Sequence, residues 1–168
     1  MEFLLVKAVV ESLYIGRKVK ELVKSEKRII VFFDGASRGN PGHAGVGAIV
    51  FEERKIFSIL SKYIGIATNN IAEYRALNEI LMKIEPLVKE KKEVEILLKS
   101  DSQLLTRQLT GIYKIKNPQL KKLSITVMKI LRRYKRWRIE HISRIENKIA
   151  DGLATSAVDN ALRALQSK

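Results

Sequence analysis

Three β-rich segments in close succession constrain this chain more than any other feature. RIIVFFD from Arg28, AGVGAIVF from Ala44 and KIFSILSKYIG from Lys55 are separated only by turn residues, which predicts three antiparallel strands. The period then changes. In NNIAEYRALNEILMKIEPLVKEKK, Ile71, Tyr74, Leu77, Ile80, Leu81 and Ile84 share one helical face, and Pro86 ends or kinks the helix. VEILLKS reads as a buried-type strand, DSQLLTRQLTG as a brief helix, and NPQLKKLSITVMKILRRY as a longer helix with Pro118 just inside Asn117. RWRIEHI returns to strand and NKIADGLATSAVDNALRALQ closes as a helix. The order βββαβααβα includes a strand-helix-strand crossover that should be right-handed. The fold class is therefore α/β, a five-stranded mixed sheet flanked by helices.

Residues 1–27 stand outside that order. Leu5, Ala8, Val9, Leu13, Val19 and Leu22 recur near a helical spacing, so this stretch is expected as an N-terminal helical extension and residues 28–168 as the main domain. The opening MEFLLVKAVVESLYIG has an acidic second residue and is broken by Lys7 and Glu11. It makes a poor signal peptide and is too short and too charged to span a bilayer. With no cysteine there is neither a disulfide framework nor a thiolate zinc site, and the default expectation is a cytoplasmic monomer without membrane attachment. Lys and Arg number 32 against 18 acids, a formal net charge of +14. Such an excess fits a polyanionic partner, nucleic acid first and an anionic membrane surface as the rival.

Against this basic background the acids are placed selectively. The chain has four aspartates, Asp34, Asp101, Asp151 and Asp159. Asp34 ends the apolar run of the first strand, Asp101 directly follows the fourth, Glu73 lies early in the long helix and Asp151 early in the last. Acids converging on one point would repel each other, and burial would raise their pKa values unless cations held them. Hard divalent ions resolve that conflict, and Mg²⁺ bound by carboxylates completes its shell with water and substrate phosphate. Each acid also has a plain structural role available. Asn70 and Glu73 have capping-box spacing, Asp101 with Ser102 could cap the short helix, and Asp151 suits a helix N-terminus.

Four motifs resemble the type 1 ribonuclease H (ribonuclease HI) family: DGASRGNPGHAGVGAI from Asp34, TNNIAEYRAL from Thr68, SDSQLL from Ser100 and RIENKIADGLA from Arg144. The match runs from about Arg28 to Ala157. The resemblance implies a ribonuclease H-like sheet and two-metal endonucleolytic hydrolysis of the RNA strand of RNA/DNA hybrids, leaving 3′-hydroxyl and 5′-phosphate ends. Two Mg²⁺ ions are implied, with Mn²⁺ as a substitute, and no nucleotide cofactor. By the same resemblance Asp34 bridges both ions, Glu73 and Asp101 bind the leaving-group ion, and Asp151 helps hold the water-activating ion. Ser37, Asn40, Thr68, Asn69, Asn70 and Gln103 are implied as substrate-binding residues that hold backbones and read 2′-hydroxyls, for which amides are suited as both donor and acceptor. Double-stranded RNA stays open as a second duplex. A non-catalytic hybrid-binding module and another nuclease of the same fold are the alternatives.

The sequence departs from the best-known members of that family in three places, one being that residues 1–27 lack the aromatic and glycine pattern of the hybrid-binding domain found in some relatives. The best-known members carry a histidine in a loop before the last aspartate, whereas His141 here sits at the expected end of a strand, so His141 and Arg144 are both candidates for the catalytic auxiliary role. The separate basic helix used by some relatives as a substrate handle is missing, because GIYKIKNPQLKKL runs straight into the longer helix. Grip is then expected from Lys114, Lys116, Lys121, Lys122 and RRYKRWR, where Tyr134 and Trp137 alternate with basic residues; the competing reading buries Trp137 at a helix end. The glycine-rich stretch after Asp34 has no Lys-Ser or Lys-Thr pair and is followed by strand, so it is not a phosphate loop. It is expected to turn a hairpin at Asn40-Pro41-Gly42, with Gly45 and Gly47 admitting a nucleic-acid backbone.

Overall fold

The computed structural model describes residues 27–167. Strands β1 (Lys27–Gly39), β2 (Gly42–Glu52) and β3 (Lys55–Ala67) are followed by helix α1 (Asn69–Ile84), a 3₁₀ turn (Lys91–Glu93) and β4 (Val94–Ser100). Helices α2 (Gln103–Leu109) and α3 (Pro118–Leu131), strand β5 (Arg136–His141) and helix α4 (Lys148–Gln166) complete the chain. The expected extension over 1–27 lies outside the described residues except for Lys27, which already belongs to β1. No helix of the described residues is long and apolar enough to cross a membrane.

The sheet order is β3-β2-β1-β4-β5, antiparallel for β1/β2 and β2/β3 and parallel for β1/β4 and β4/β5. The mixed sheet and element order follow the sequence expectation. Strand alternation gives the sheet two faces. On one, Ile29, Val31 and Phe33 of β1 and Val46, Ala48 and Val50 of β2 join Leu77, Ile80 and Leu81 of α1 and Val127 and Leu131 of α3 in a single core cluster. Full burial of each such side chain contributes roughly 1.5–3 kcal/mol, so the apolar stripe of α1 fixes that helix on the sheet.

On the other face α4 lies across β2. A Cβ on Gly47 would stand 2.2 Å from the Ala150 carbonyl oxygen, and one on Gly45 would stand 2.5 Å from that of Ala154. These glycines let α4 touch the sheet backbone. The expectation that they admit a nucleic-acid backbone is therefore corrected, because a helix of the same chain occupies that space. The hairpin expectation is met, with turn residues at Asn40 and Pro41 between β1 and β2. Glu95 on β4 is fully buried and receives Arg28 at 3.0 Å, Arg136 at 3.1 Å and Arg138 at 2.9 Å. Burial alone would raise its carboxyl, and the hydrogen bonds from Arg136 and Arg28 outweigh burial and hold it below the ordinary range.

Candidate active site

Strand lengths create the site. The parallel register of β1 with β4 stops at Phe32 and Lys99, while β1 runs on to Gly39, so Asp34 stands just past the point where its neighbour ends. Asp101 directly follows the end of β4. Ligand crevices in sheets with parallel strands open at such carboxyl ends.

Glu73 arrives through a close helix-strand approach. A Cβ on Gly35 would lie 2.2 Å from both the Ala72 carbonyl carbon and the Glu73 nitrogen, so glycine here lets α1 press its backbone against β1 beside Asp34. The N-cap of α1 is Thr68, whose Oγ1 accepts from the Ile71 N–H at 3.3 Å. The capping-box expectation for Asn70 and Glu73 is thereby corrected: Glu73 turns into the site, where Oε1 accepts from Asn69 Nδ2 at 3.0 Å and Oε2 from Ser102 Oγ at 2.5 Å. Ser102 caps α2, and Asp101 is left to accept from Asn147 Nδ2 at 2.8 Å. Asp151 sits in the first turn of α4 with Arg144 Nη2 3.5 Å from its Oδ1.

The four acids share one pocket of about 300 Å³ with Ser37, Arg38, Asn69, Arg144 and Thr155. Burial, then the charge of Asp101, pushes the Asp34 carboxyl up to about 8; Glu73 and Asp151 add to this, and the Gly35 N–H at 2.8 Å opposes it. Burial likewise pushes Glu73 up to about 7 against the hydrogen bonds from Ser102 and Asn69. Crowded and buried, these carboxyls resist ionising together, a cost that a bound cation would relieve. Among the described residues no three acidic or histidine side chains are gathered tightly enough to hold a metal ion alone. Their chemistry nonetheless fits a hard divalent cation, since every donor is a carboxylate oxygen and such ions routinely keep water or substrate oxygens in the remaining positions.

Of the other expected site residues, Ser37, Asn69 and Arg144 line this pocket. Ser37 donates to the Gly39 carbonyl and, at 2.9 Å, to that of Ala67, while Asn40 Oδ1 accepts from the Asn69 N–H at 3.2 Å. These bonds tie the β1-β2 turn to the start of α1. Asn70 and Gln103 are exposed in the first turns of α1 and α2. His141 ends β5 with Nε2 3.0 Å from the Asp101 carbonyl oxygen and is not part of the pocket wall, whereas Arg144 is. Tyr134 is only 4% exposed within the core and Trp137 packs against it, which corrects the reading of those aromatics as substrate contacts. Arg136 and Arg138 of the same segment are engaged by Glu95, and Arg133 by Glu85 at 2.6 Å.

Sequence reasoning missed Asn147. Fully buried, it donates from Nδ2 both to Asp101 and to the Phe33 carbonyl at 3.0 Å. An asparagine just before a helix reads as a cap, yet α4 receives no side-chain cap bond from it. It ties β1, the end of β4 and α4 together.

A mixed sheet with this strand order, bearing four carboxylates at its carboxyl edge, defines a ribonuclease H-like protein. The family model described as "Reverse transcriptase-like" matches residues 32–157. Ribonuclease HI of Halobacterium salinarum is 39% identical over 135 residues, 80% of this chain and 66% of that protein. The Bifunctional protein Rv2228c of Mycobacterium tuberculosis is 36% identical over 140 residues, 82% of this chain and 37% of that protein. The chain therefore spans less than two thirds of these curated relatives. The solved structure of LC11-RNase H1, isolated from compost by a metagenomic approach, is 38% identical and superimposes with a TM-score of 0.75 over 80% of this chain and 98% of that one. A second structure of LC11-RNase H1, in complex with RNA/DNA hybrid, has a TM-score of 0.68 at 38% identity, covering 80% of this chain and 99% of that one. The chain belongs to the type 1 ribonuclease H (ribonuclease HI) family. Membership implies dependence on a divalent metal.

Proposed function

We propose that this chain hydrolyses the RNA strand of RNA/DNA hybrids as an endonuclease, leaving 3′-hydroxyl and 5′-phosphate ends. The observation that carries this reading is the convergence of Asp34, Glu73, Asp101 and Asp151 on one pocket in a chain of formal net charge +14. A purely binding module would have no use for four mutually repelling carboxylates facing a polyanion.

Those four side chains would hold the divalent ions, Mg²⁺ with Mn²⁺ as a substitute. Bound there, the ions would supply Lewis acidity to both the attacking and the leaving oxygen of a displacement at phosphorus. The chain's own groups keep the carboxylates aimed: Asn69 and Ser102 restrain Glu73, and Asn147 restrains Asp101. Thr68, Asn69 and Asn70 at the start of α1, Gln103 at the start of α2, and Ser37 and Asn40 beside the β1-β2 turn are the proposed backbone and 2′-hydroxyl contacts. Arg144 on the pocket wall is the proposed aid to turnover, with His141 as the alternative.

Substrate grip falls to cations left over from internal pairing. From Gln103 to Ile139 the sequence has eleven Lys and Arg and no acid. Of these, Lys114, Lys116, Lys121 and Lys122 are exposed on and before α3, where they replace a handle helix. A monomer working in the cytoplasm belongs to the same reading and rests on the sequence alone.

The test is cleavage of an end-labelled RNA/DNA hybrid with Mg²⁺ or Mn²⁺ beside double-stranded RNA and double-stranded DNA, with Asp34→Asn and Asp101→Asn as controls. Cutting of the RNA strand by the parent and loss in both variants are expected. Hybrid binding without cutting would favour the non-catalytic module, and strong cutting by either variant would refute the site.

A further inference from the structure

Arg38 is the second cation of the pocket wall, and no expectation from the sequence covered it. It lies four residues after Asp34 on the same face of β1, because strand residues alternate sides. On α4, Asp151, Thr155 and Asp159 recur every four residues and so share one helical face. Arg38 Nη2 donates to Asp159 Oδ1 at 2.7 Å.

Strand and helix thus form two rungs. Asp34 and Asp151 stand at the first, Arg38 and Asp159 at the second, and Ala36 and Thr155 line the pocket between them. Eight helical residues at about 1.5 Å each separate the rungs by about 12 Å, and four strand residues at about 3.3 Å give about 13 Å. The two spacings agree, and the carboxylates, Ala36, Thr155 and Arg38 all line the same pocket.

The Arg38 side chain is 55% exposed and that of Asp159 39%. An ion pair this open stabilises a fold little, so its worth lies elsewhere. A strand laid across the carboxylates carries its phosphates into a negative field, and the same pocket offers a guanidinium farther along. That group has five N–H donors, of which Asp159 takes one at Nη2, and its planar fork suits two phosphate oxygens.

We propose that Arg38 grips a phosphate of the strand being cut, about 12 Å along the pocket from the carboxylates, and that Asp159 is the positioning residue that aims it. This rests on the hydrolase reading above. The Thr155 hydroxyl lines the path between the two points. Asp159, the one aspartate outside the carboxylate centre, thereby gains a role in the same reaction.

The test uses the full chain and compares the parent with Arg38→Gln, Arg38→Lys and Asp159→Asn on a labelled hybrid across a series of KCl concentrations. Arg38→Gln should raise KM about tenfold, more than it lowers kcat, and should flatten the dependence of log KM on log salt by roughly 0.7–0.9, the share of one phosphate contact. Arg38→Lys should keep the parent's salt slope. Asp159→Asn should keep it too while raising KM, since the charge remains but is no longer aimed; a merely structural ion pair would move the melting temperature and leave this split untouched. Unchanged KM and slope in Arg38→Gln would overturn the proposal while the parent still cuts. If the parent does not cut, the hydrolase reading fails separately, and the same salt slopes taken from hybrid binding still decide for or against Arg38.

Discussion

Asn147 donates its side-chain amide to the Asp101 carboxylate at 2.8 Å, joining the start of the last helix to the end of the fourth strand across 46 residues of sequence. The same nitrogen reaches the Phe33 carbonyl at 3.0 Å, one residue before Asp34. One buried amide therefore sets the spacing of two pocket acids. Asn147→Ala would leave the Phe33 carbonyl without this donor and free the Asp101 side chain. A loss of about 2–3 kcal/mol in denaturant unfolding is expected, with a larger relative fall in hybrid cleavage than unfolding alone explains. Full stability in Asn147→Ala would remove this residue from the account.

The pH dependence of the metal-free protein should run opposite to ordinary acid denaturation. Burial, above all, raises Asp34 to about 8 from 3.8 and Glu73 to about 7 from 4.5. A carboxyl whose folded pKa is raised contributes stability that is fully present below its unfolded value and is lost as pH climbs through its folded value. The melting temperature should therefore fall between about pH 5 and about pH 9, less steeply in Asp34→Asn, and Mg²⁺ should restore it more in the parent than in that variant. Calorimetry showing equal slopes for parent and Asp34→Asn would refute the strain assigned to Asp34.

Gly35 makes the strand-helix approach that delivers Glu73. Gly35→Ala places a methyl group 2.2 Å from the backbone of Ala72 and Glu73, so α1 must move away from β1. A cost on the order of 1–3 kcal/mol from overpacking is expected, with cleavage falling further because Glu73 retreats from Asp34. Thermal melts read beside specific activity separate the two effects, and unchanged activity would show that the approach is not what positions Glu73.

Arg144 and His141 compete for one role and their surroundings differ. Arg144 lines the pocket with its side chain 79% exposed and its Nη2 3.5 Å from Asp151, while the His141 ring rests on the Asp101 carbonyl. Arg144→Ala should slow multiple-turnover cleavage about tenfold or more, and His141→Ala several-fold less. The opposite ranking in steady-state assays would return the role to the histidine.

The element order, the sheet class and the placing of four acids at element ends were readable in the chain itself, because the periods of 2 and 3.6 residues and the Asn117-Pro118 helix start are local signals. Resemblance to a family then joined those acids into one site. Tertiary structure alone decided the remainder. Gly45 and Gly47 serve the seating of α4, Tyr134 and Trp137 belong to the core, Glu95 engages Arg136 and Arg138 of the basic run, Asn147 restrains Asp101, and Arg38 joins the pocket wall. Each of these depends on a partner many residues away, as Arg38 does on Asp159 across 121 positions. Local periodicity tells a residue which face it occupies, and only the packed sheet determines what it meets there.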